Sequence, residues 1–171
     1  MDFFSTVKNR RSYRDAFTDA PVSDEDLVKI VDAGICAPSG CNQQTTDFII
    51  VTNPELLAKL GEIVVNDAVR TAPAIIVVLT TKHTMDFGLD FEIEDYSAAV
   101  ENMLLAAVAL GYASCWFDGV TRLDGRDDLV ASLLNVPKGK RVRTLLPVGI
   151  PAKTGSQAPR KSFDERAMWR K

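Results

Sequence analysis

The stretch Glu94-Asp95-Tyr96-Ser97-Ala98-Ala99-Val100-Glu101-Asn102-Met103-Leu104-Leu105-Ala106-Ala107-Val108-Ala109-Leu110-Gly111 decides how this chain folds. Its two leading carboxylates suit a helix start, where free N–H groups and the positive end of the dipole favour them. From Tyr96 onward nearly every helical face is apolar, and only Ser97, Glu101 and Asn102 interrupt it. Gly111 supplies a C-terminal stop, and residues 113–117 then read as a short strand. A helix with one polar face lies on a surface, whereas one that is apolar all round must be covered all round. Burying a large aliphatic side chain gains roughly 1.5–3 kcal/mol, so leaving half of this helix wet would be costly. The run is too short for a membrane span, which takes about 20 apolar residues. The expectation is a central helix, covered on one side by a second copy of the chain.

A chain of 171 residues is long enough for one domain with a substantial core. Its 46% apolar and 25% charged content is that of a water-soluble globular protein. A net charge of −3 gives no overall attraction to nucleic acid or to an anionic membrane, so neither is an expected partner. Met1-Asp2-Phe3-Phe4 lacks the basic-then-apolar pattern of a signal segment, and the expected location is cytoplasmic. Cys36, Cys41 and Cys115 make an odd count without Cys-x-x-Cys spacing. They read as reduced thiols in or near the core rather than a disulfide framework or zinc site. His83 is the only histidine and lies in a polar loop, which excludes a His-rich metal site and disfavours a His-activated nucleophile.

Outward from the central helix, helices and strands alternate. Residues 3–9 suggest a short helix, apolar at Phe3, Phe4 and Val7. It runs into Arg10-Arg11-Ser12-Tyr13-Arg14, three arginines and a serine within five residues. Guanidinium forks take a phosphate through two parallel bonds and serine adds a donor, so this knot suits an oxyanion. The other reading is a solvated loop paired with Asp15 and Asp19. Ser23, with Asp26 three places on, opens a helix carrying Leu27, Val28, Ile30, Val31 and Ile35. Ala37-Pro38-Ser39-Gly40 ends it, and Cys41-Asn42-Gln43-Gln44-Thr45-Thr46 follows as a run of amides and hydroxyls before a strand over 47–52. Such a run either hydrogen-bonds a flat heterocycle or is plain turn chemistry. Asn53-Pro54-Glu55 opens a helix to about Val64, and the polar stretch from Asn66 to Thr71 leads to Ala72-Pro73. Residues 74–79 are uninterruptedly aliphatic, as a central strand should be, and a loop over 80–91 follows. Residues 124–135 predict an amphipathic helix with Leu129, Val130, Leu133 and Leu134 inward. The last strand is 142–150, and residues 152–171 form a basic, polar tail. With no internal repeat and no linker, the expectation is one α+β domain over 1–171.

Taken in order, these stretches resemble the FMN-dependent nitroreductase family. The resemblance runs through Arg10–Arg14, Ala37–Gln44, Ala72-Pro73, Glu94-Asp95, Glu101–Ala107, Leu110-Gly111, Leu146–Gly149 and Arg160-Lys161, nearly the whole chain. Each motif alone is weak and the ordered set is specific. It implies a nitroreductase-like α+β fold, with a central mixed or antiparallel sheet flanked by helices. It also implies an entwined homodimer with two FMN sites, each built from both chains. Carried over by position, Arg10, Arg11 and Ser12 hold the phosphate and nearby flavin edge, Arg14 sits near the pyrimidine end, and Arg160 with Lys161 return from the tail to the phosphate. Pro38, Ser39, Gly40 and Asn42 come from the other protomer, with Gln44 in the same region. Asp118 and Gly119 match the turn whose backbone lies over the ring, and Asn66 and Arg70 precede Ala72-Pro73 where further contacts occur. The family's Pro-Trp after Asn-x-Gln is replaced by Thr45-Thr46, and the loop at 80–92 that covers the substrate face in larger members is brief.

The function so implied is an NAD(P)H oxidoreductase in which the flavin carries the chemistry and no side chain serves as acid, base or nucleophile. NADH or NADPH would reduce FMN, leave, and be replaced on the same open face by a small-molecule acceptor, by default a nitroaromatic or quinone. Two other readings stay beside it. One is a flavin-dependent dehalogenase or flavin-modifying relative, although the short loops supply no lid. The other is a non-catalytic nucleotide- or nucleic-acid-binding protein using Arg10–Arg14, which the acidic balance and the lack of stacking aromatics beyond Tyr13 disfavour.

Overall fold

The computed structural model describes residues 1–171. In chain order it contains α1 (Phe3–Asn9), α2 (Asp24–Ile35), β1 (Thr46–Val51), α3 (Pro54–Ile63), α4 (Asp67–Thr71), β2 (Ala74–Thr81), α5 (Glu92–Ala109), β3 (Ala113–Ser114), α6 (Arg126–Leu133), β4 (Lys140–Gly149) and α7 (Phe163–Arg166). Helix starts follow local chemistry: the side chains of Asp2, Ser23, Asn53 and Asn66 each accept from a backbone N–H of the first turn. Such a cap stabilises by about 1 kcal/mol.

The four strands form one antiparallel sheet in the order β1-β2-β4-β3. β2 is internal and buried on both faces, which is why it reads as a continuous aliphatic run. Ile75, Val77 and Leu79 face a core with Leu60, Val64, Val69 and Val130 from α3, α4 and α6. Ala74, Ile76 and Val78 face a second core with Leu27 and Ile30 of α2 and Tyr96, Val100 and Met103 of α5. Opposite Val78 and Leu79 the register jumps from Thr144 to Val142, so Arg143 is the extra residue of a β-bulge.

α5 is the central helix that its sequence predicts, and one side of it is open. Asn102, Leu105, Ala106 and Ala109 line a groove of about 520 Å³ with Met1 and Phe3 of the N-terminal segment and Ala33 and Cys36 at the C-terminal end of α2. Phe3, Phe4 and Ile35 around it are more than 60% exposed.

Several expectations are corrected. Leu129 is exposed, because α6 is short and turns only Val130 fully inward. Asn66–Thr71 contains a helix, too short for periodicity to reveal. The strand expected over 113–117 is two residues long, with Phe117 rejoining β4 through a single bridge to Leu145. Only Cys115 is in the core; Cys36 and Cys41 are exposed. No helix is long and apolar enough to cross a membrane.

Candidate functional site

The basic segment after α1 is laid along the edge of the sheet. Ser12 bridges Ser114 in parallel, and the Tyr13 N–H donates to the Ser114 carbonyl at 3.0 Å. Tyr13 is buried against Phe17, their ring centroids 5.0 Å apart, and its hydroxyl donates to the Ala16 carbonyl at 2.6 Å. With Tyr13 turned in, the extended backbone turns its neighbours Ser12 and Arg14 out. Arg10 pairs with Glu101 of α5 at 3.2 Å, and Arg11 donates to the Gly155 carbonyl while lying over the Tyr13 ring. None of these guanidinium groups pairs with Asp15 or Asp19, and Arg14 has no ion pair at all.

Arg14 lines a recess of about 310 Å³ with Val65, Asn66, Trp116, Phe117, Asp118, Gly119 and Val120. In its wall, Trp116 Nε1 is a buried donor with no acceptor in the chain, and the Ser114 hydroxyl near Ser12 is likewise unpartnered. An orphaned buried donor costs about 1–3 kcal/mol, so such groups mark where an acceptor belongs. Burial pushes the Cys115 thiol up against the opposing pull of Arg14 and Ser12, which keeps it protonated and unreactive.

The residues from Pro38 to Gln44 form a second surface. Pro38, Ser39 and Gln44 line a smaller recess with Thr46, Phe48 and Asp95. Gly40–Asn42 is a single 3₁₀ turn, and Cys41, Asn42 and Gln44 adopt φ values of 50°, 55° and 49°. This is the left-handed region, which costs a non-glycine residue on the order of 1 kcal/mol. The Ser39 hydroxyl accepts from the Gln44 N–H at 3.0 Å across the loop.

Between these surfaces stands the first turn of α5, buried at Glu92, Asp95 and Tyr96. Glu92 pairs with Arg143, whose Nε also donates to Thr80 Oγ1 at 3.1 Å and whose guanidinium lies 5.9 Å from the Tyr96 ring centroid. The bulge at Arg143 re-aims this side chain. The Tyr96 hydroxyl donates to Asp118 Oδ2 at 2.9 Å, Trp116 packs edge-on against the Tyr96 ring, and Arg122 pairs with Asp118. Burial first, and then the Asp118 carboxylate, push the Tyr96 phenol up to about 12.

The structure thus brings Arg14, Asn66, Asp118 and Gly119 together at one recess, with Ser12 on the adjoining segment, and sets Pro38, Ser39, Gly40, Asn42 and Gln44 along a separate loop. Asn66 also caps α4, donated to by the Ala68 N–H at 2.9 Å. Arg70 is turned back onto α3, its Nε 3.4 Å from the Gly61 carbonyl. Arg160 and Lys161 lie in the exposed tail, where Arg160 bonds only the Ala158 carbonyl nearby. Sequence reasoning did not single out Tyr96, Trp116 and Arg143 as site residues, and it read Asp95 as a helix-start charge. Glu92 and Asp95, three apart at the head of an apolar helix, were the available signal, whereas Arg143 lies among Lys140, Arg141 and Thr144, where a further cation is unremarked.

The profile of the nitroreductase family matches residues 7–68 and 64–150. An Archaeoglobus fulgidus protein, provisionally named an NADH dehydrogenase/NAD(P)H nitroreductase, is 36% identical over 146 residues, covering 85% of this chain and 83% of that protein. A Methanothermobacter thermautotrophicus protein of the same provisional name is 35% identical over 153 residues, 89% of this chain and 78% of that one. The solved structure of an FMN-dependent nitroreductase from Clostridium difficile R20291 superposes with a TM-score of 0.83 at 26% identity, covering 98% of this chain and 99% of that chain.

Proposed function

The chain belongs to the nitroreductase family, and from that premise we propose that it is an FMN-dependent NAD(P)H oxidoreductase that works as a homodimer. It passes two electrons in a ping-pong cycle to nitroaromatic, quinone or similar electron-poor acceptors. The observation that carries this reading is the recess in which Arg14, a guanidinium without an ion pair, stands with Asn66, Trp116 and the Asp118-Gly119 turn. A flat anionic heterocycle rich in carbonyl acceptors answers that unpaired charge, and FMN fits these residues.

Bound FMN supplies the redox chemistry, taking hydride and returning two electrons. The chain's own groups bind and bias it. Arg14 would provide positive charge to the bound ring, stabilising the negative charge that reduction brings by fixed electrostatics rather than by proton transfer. Ser12, Arg10 and Arg11 would hold the phosphate, with Arg160 and Lys161 of the tail as further cations for it. Asn66 and Arg70 would contribute from the α4 side, and the Asp118-Gly119 turn would offer its backbone to the ring. Pro38, Ser39, Gly40, Asn42 and Gln44 would come from the second copy, which accounts for their separate recess within one chain. The open apolar groove along α5, about 520 Å³ and rimmed by exposed Phe3, Phe4 and Ile35, supports that second copy as its cover. Residues 1–171 then act as one FMN-binding domain.

The test is the visible spectrum of protein reconstituted with FMN under anaerobic conditions. The yellow band is expected to bleach with NADH or NADPH and to return on adding a nitroaromatic or a quinone. No bleaching with either nicotinamide overturns the oxidoreductase reading.

A further inference from the structure

The loop over residues 39–45 is bent into backbone conformations that its own residues disfavour, so something outside it must hold it. That something is Asp95, 3% exposed, in the first turn of α5. Its Oδ1 accepts from the Gly40 N–H at 2.7 Å and its Oδ2 from the Thr45 hydroxyl at 2.8 Å. One carboxylate therefore ties down both ends of the left-handed turn at Cys41, Asn42 and Gln44. Phe91, just before α5, closes over the same point: a Cβ on Gly40 would come within 2.2 Å of the Phe91 ring. Two features of one helix start, an aromatic face and a buried carboxylate, thus grip a segment 50 to 55 residues away.

We propose that Asp95 is a positioning residue that presets loop 39–45 for the flavin, acting through the Gly40 amide and the Thr45 hydroxyl without touching the cofactor itself. The inference rests on the reading that this loop meets FMN. The negative charge of Asp95 matters less than the two hydrogen bonds its side chain makes, one to each end of the loop. An amide at this position still accepts from Gly40 through its carbonyl and donates to the Thr45 oxygen, so Asp95→Asn should preserve the loop. Asp95→Ala leaves the Gly40 N–H and the Thr45 hydroxyl without a partner and frees the strained turn to relax.

The experiment compares wild type, Asp95→Asn, Asp95→Ala, Thr45→Val and a core control, Val130→Ala in α6, which lowers stability away from the loop. FMN affinity is read by quenching of flavin fluorescence, and amide exchange at residues 40–45 is read in the cofactor-free protein. Asp95→Ala is expected to weaken FMN at least about tenfold and to speed exchange at 40–45 beyond the Val130→Ala control. Asp95→Asn should stay within about threefold of wild type, and Thr45→Val should fall between the two. Asp95→Ala with FMN affinity and exchange equal to the control overturns the proposal. Should Asp95→Ala fail to fold, Thr45→Val decides: faster exchange at 40–45 with weaker FMN supports it, and no change in either overturns it. Wild-type protein that binds no FMN would sink the flavin reading alone, because exchange at Gly40 still reports whether Asp95 holds the loop.

Discussion

The two ends of α5 invert the usual distribution of side chains. The inward side of its first turn is charged and polar yet dry, with Glu92, Asp95 and Tyr96 buried while Ile93 and Glu94 face out, whereas its later turns are apolar yet partly wet at Leu105, Ala106 and Ala109. Each side chain of the dry end has a partner within the chain, Glu92 Oε1 with Arg143, Asp95 with Gly40 and Thr45, and Tyr96 with Asp118, and only Glu92 Oε2 is left unmatched. The apolar end has no comparable partner on its open side. A buried polar group must be satisfied locally or it costs free energy at once, whereas an apolar face can wait for another surface. The dry end therefore fixes geometry inside one chain, and the wet end is the face on which the proposed second copy would pack.

The largest effect should come from breaking the dry end at its ion pair. Arg143→Met strands the Glu92 carboxylate in the interior and is expected to cost about 3–5 kcal/mol of stability, read by chemical denaturation. Adding Glu92→Gln should recover part of that loss, because the harm lies in the unpaired charge. If Arg143→Met alone were neutral, the buried turn would be less tightly knit than its contacts indicate.

Next comes the wet end. Leu105→Glu places a charge in the open groove and should weaken self-association at least about a hundredfold while leaving the protomer folded, read by sedimentation and circular dichroism. An unchanged dimer would move the interface elsewhere on the molecule. Loss of fold would mean that the groove belongs to the protomer's own core.

The smallest effect is expected at Tyr96. Tyr96→Phe keeps the ring against Trp116 and removes only the bond to Asp118, for about 1–2 kcal/mol. The pH dependence gives the sign. The folded-state phenol, about 12, lies above its ordinary value of 10.0, so its protonated form is favoured by folding. That contribution is complete below pH 10 and is lost as pH rises through about 12, so the stability gap between wild type and Tyr96→Phe should close over this alkaline window. A gap independent of pH would show that the hydroxyl does not titrate with folding.

What the sequence disclosed and what it withheld follow the same division. Short-range chemistry was readable: Ser23 caps α2, and the aliphatic run of β2 is buried on both faces. The order of motifs also placed Arg14, Asn66, Asp118 and Gly119 near one cofactor, and these four share a recess. Asp95 is the helix-start carboxylate its sequence indicates, yet that local explanation gives no hint of its partners, which lie 50 and 55 residues away. Leu129 was misjudged because an eight-residue helix offers too few turns for spacing alone to orient it. The bulge that aims Arg143 leaves no local signature, since it belongs to the pairing of two strands and not to either one.

Asp95 and Tyr96 are neighbours on one helical turn, yet their side chains hold two different segments, the 39–45 loop and the turn at Asp118. Inserting or deleting one residue beyond Phe91 would rotate the following turn by about 100° and detach both at once. The 82–91 connection ahead of it carries no such constraint over most of its length. Grafting longer substrate-covering loops onto this scaffold is therefore feasible up to Phe91, and changes of length should stop there.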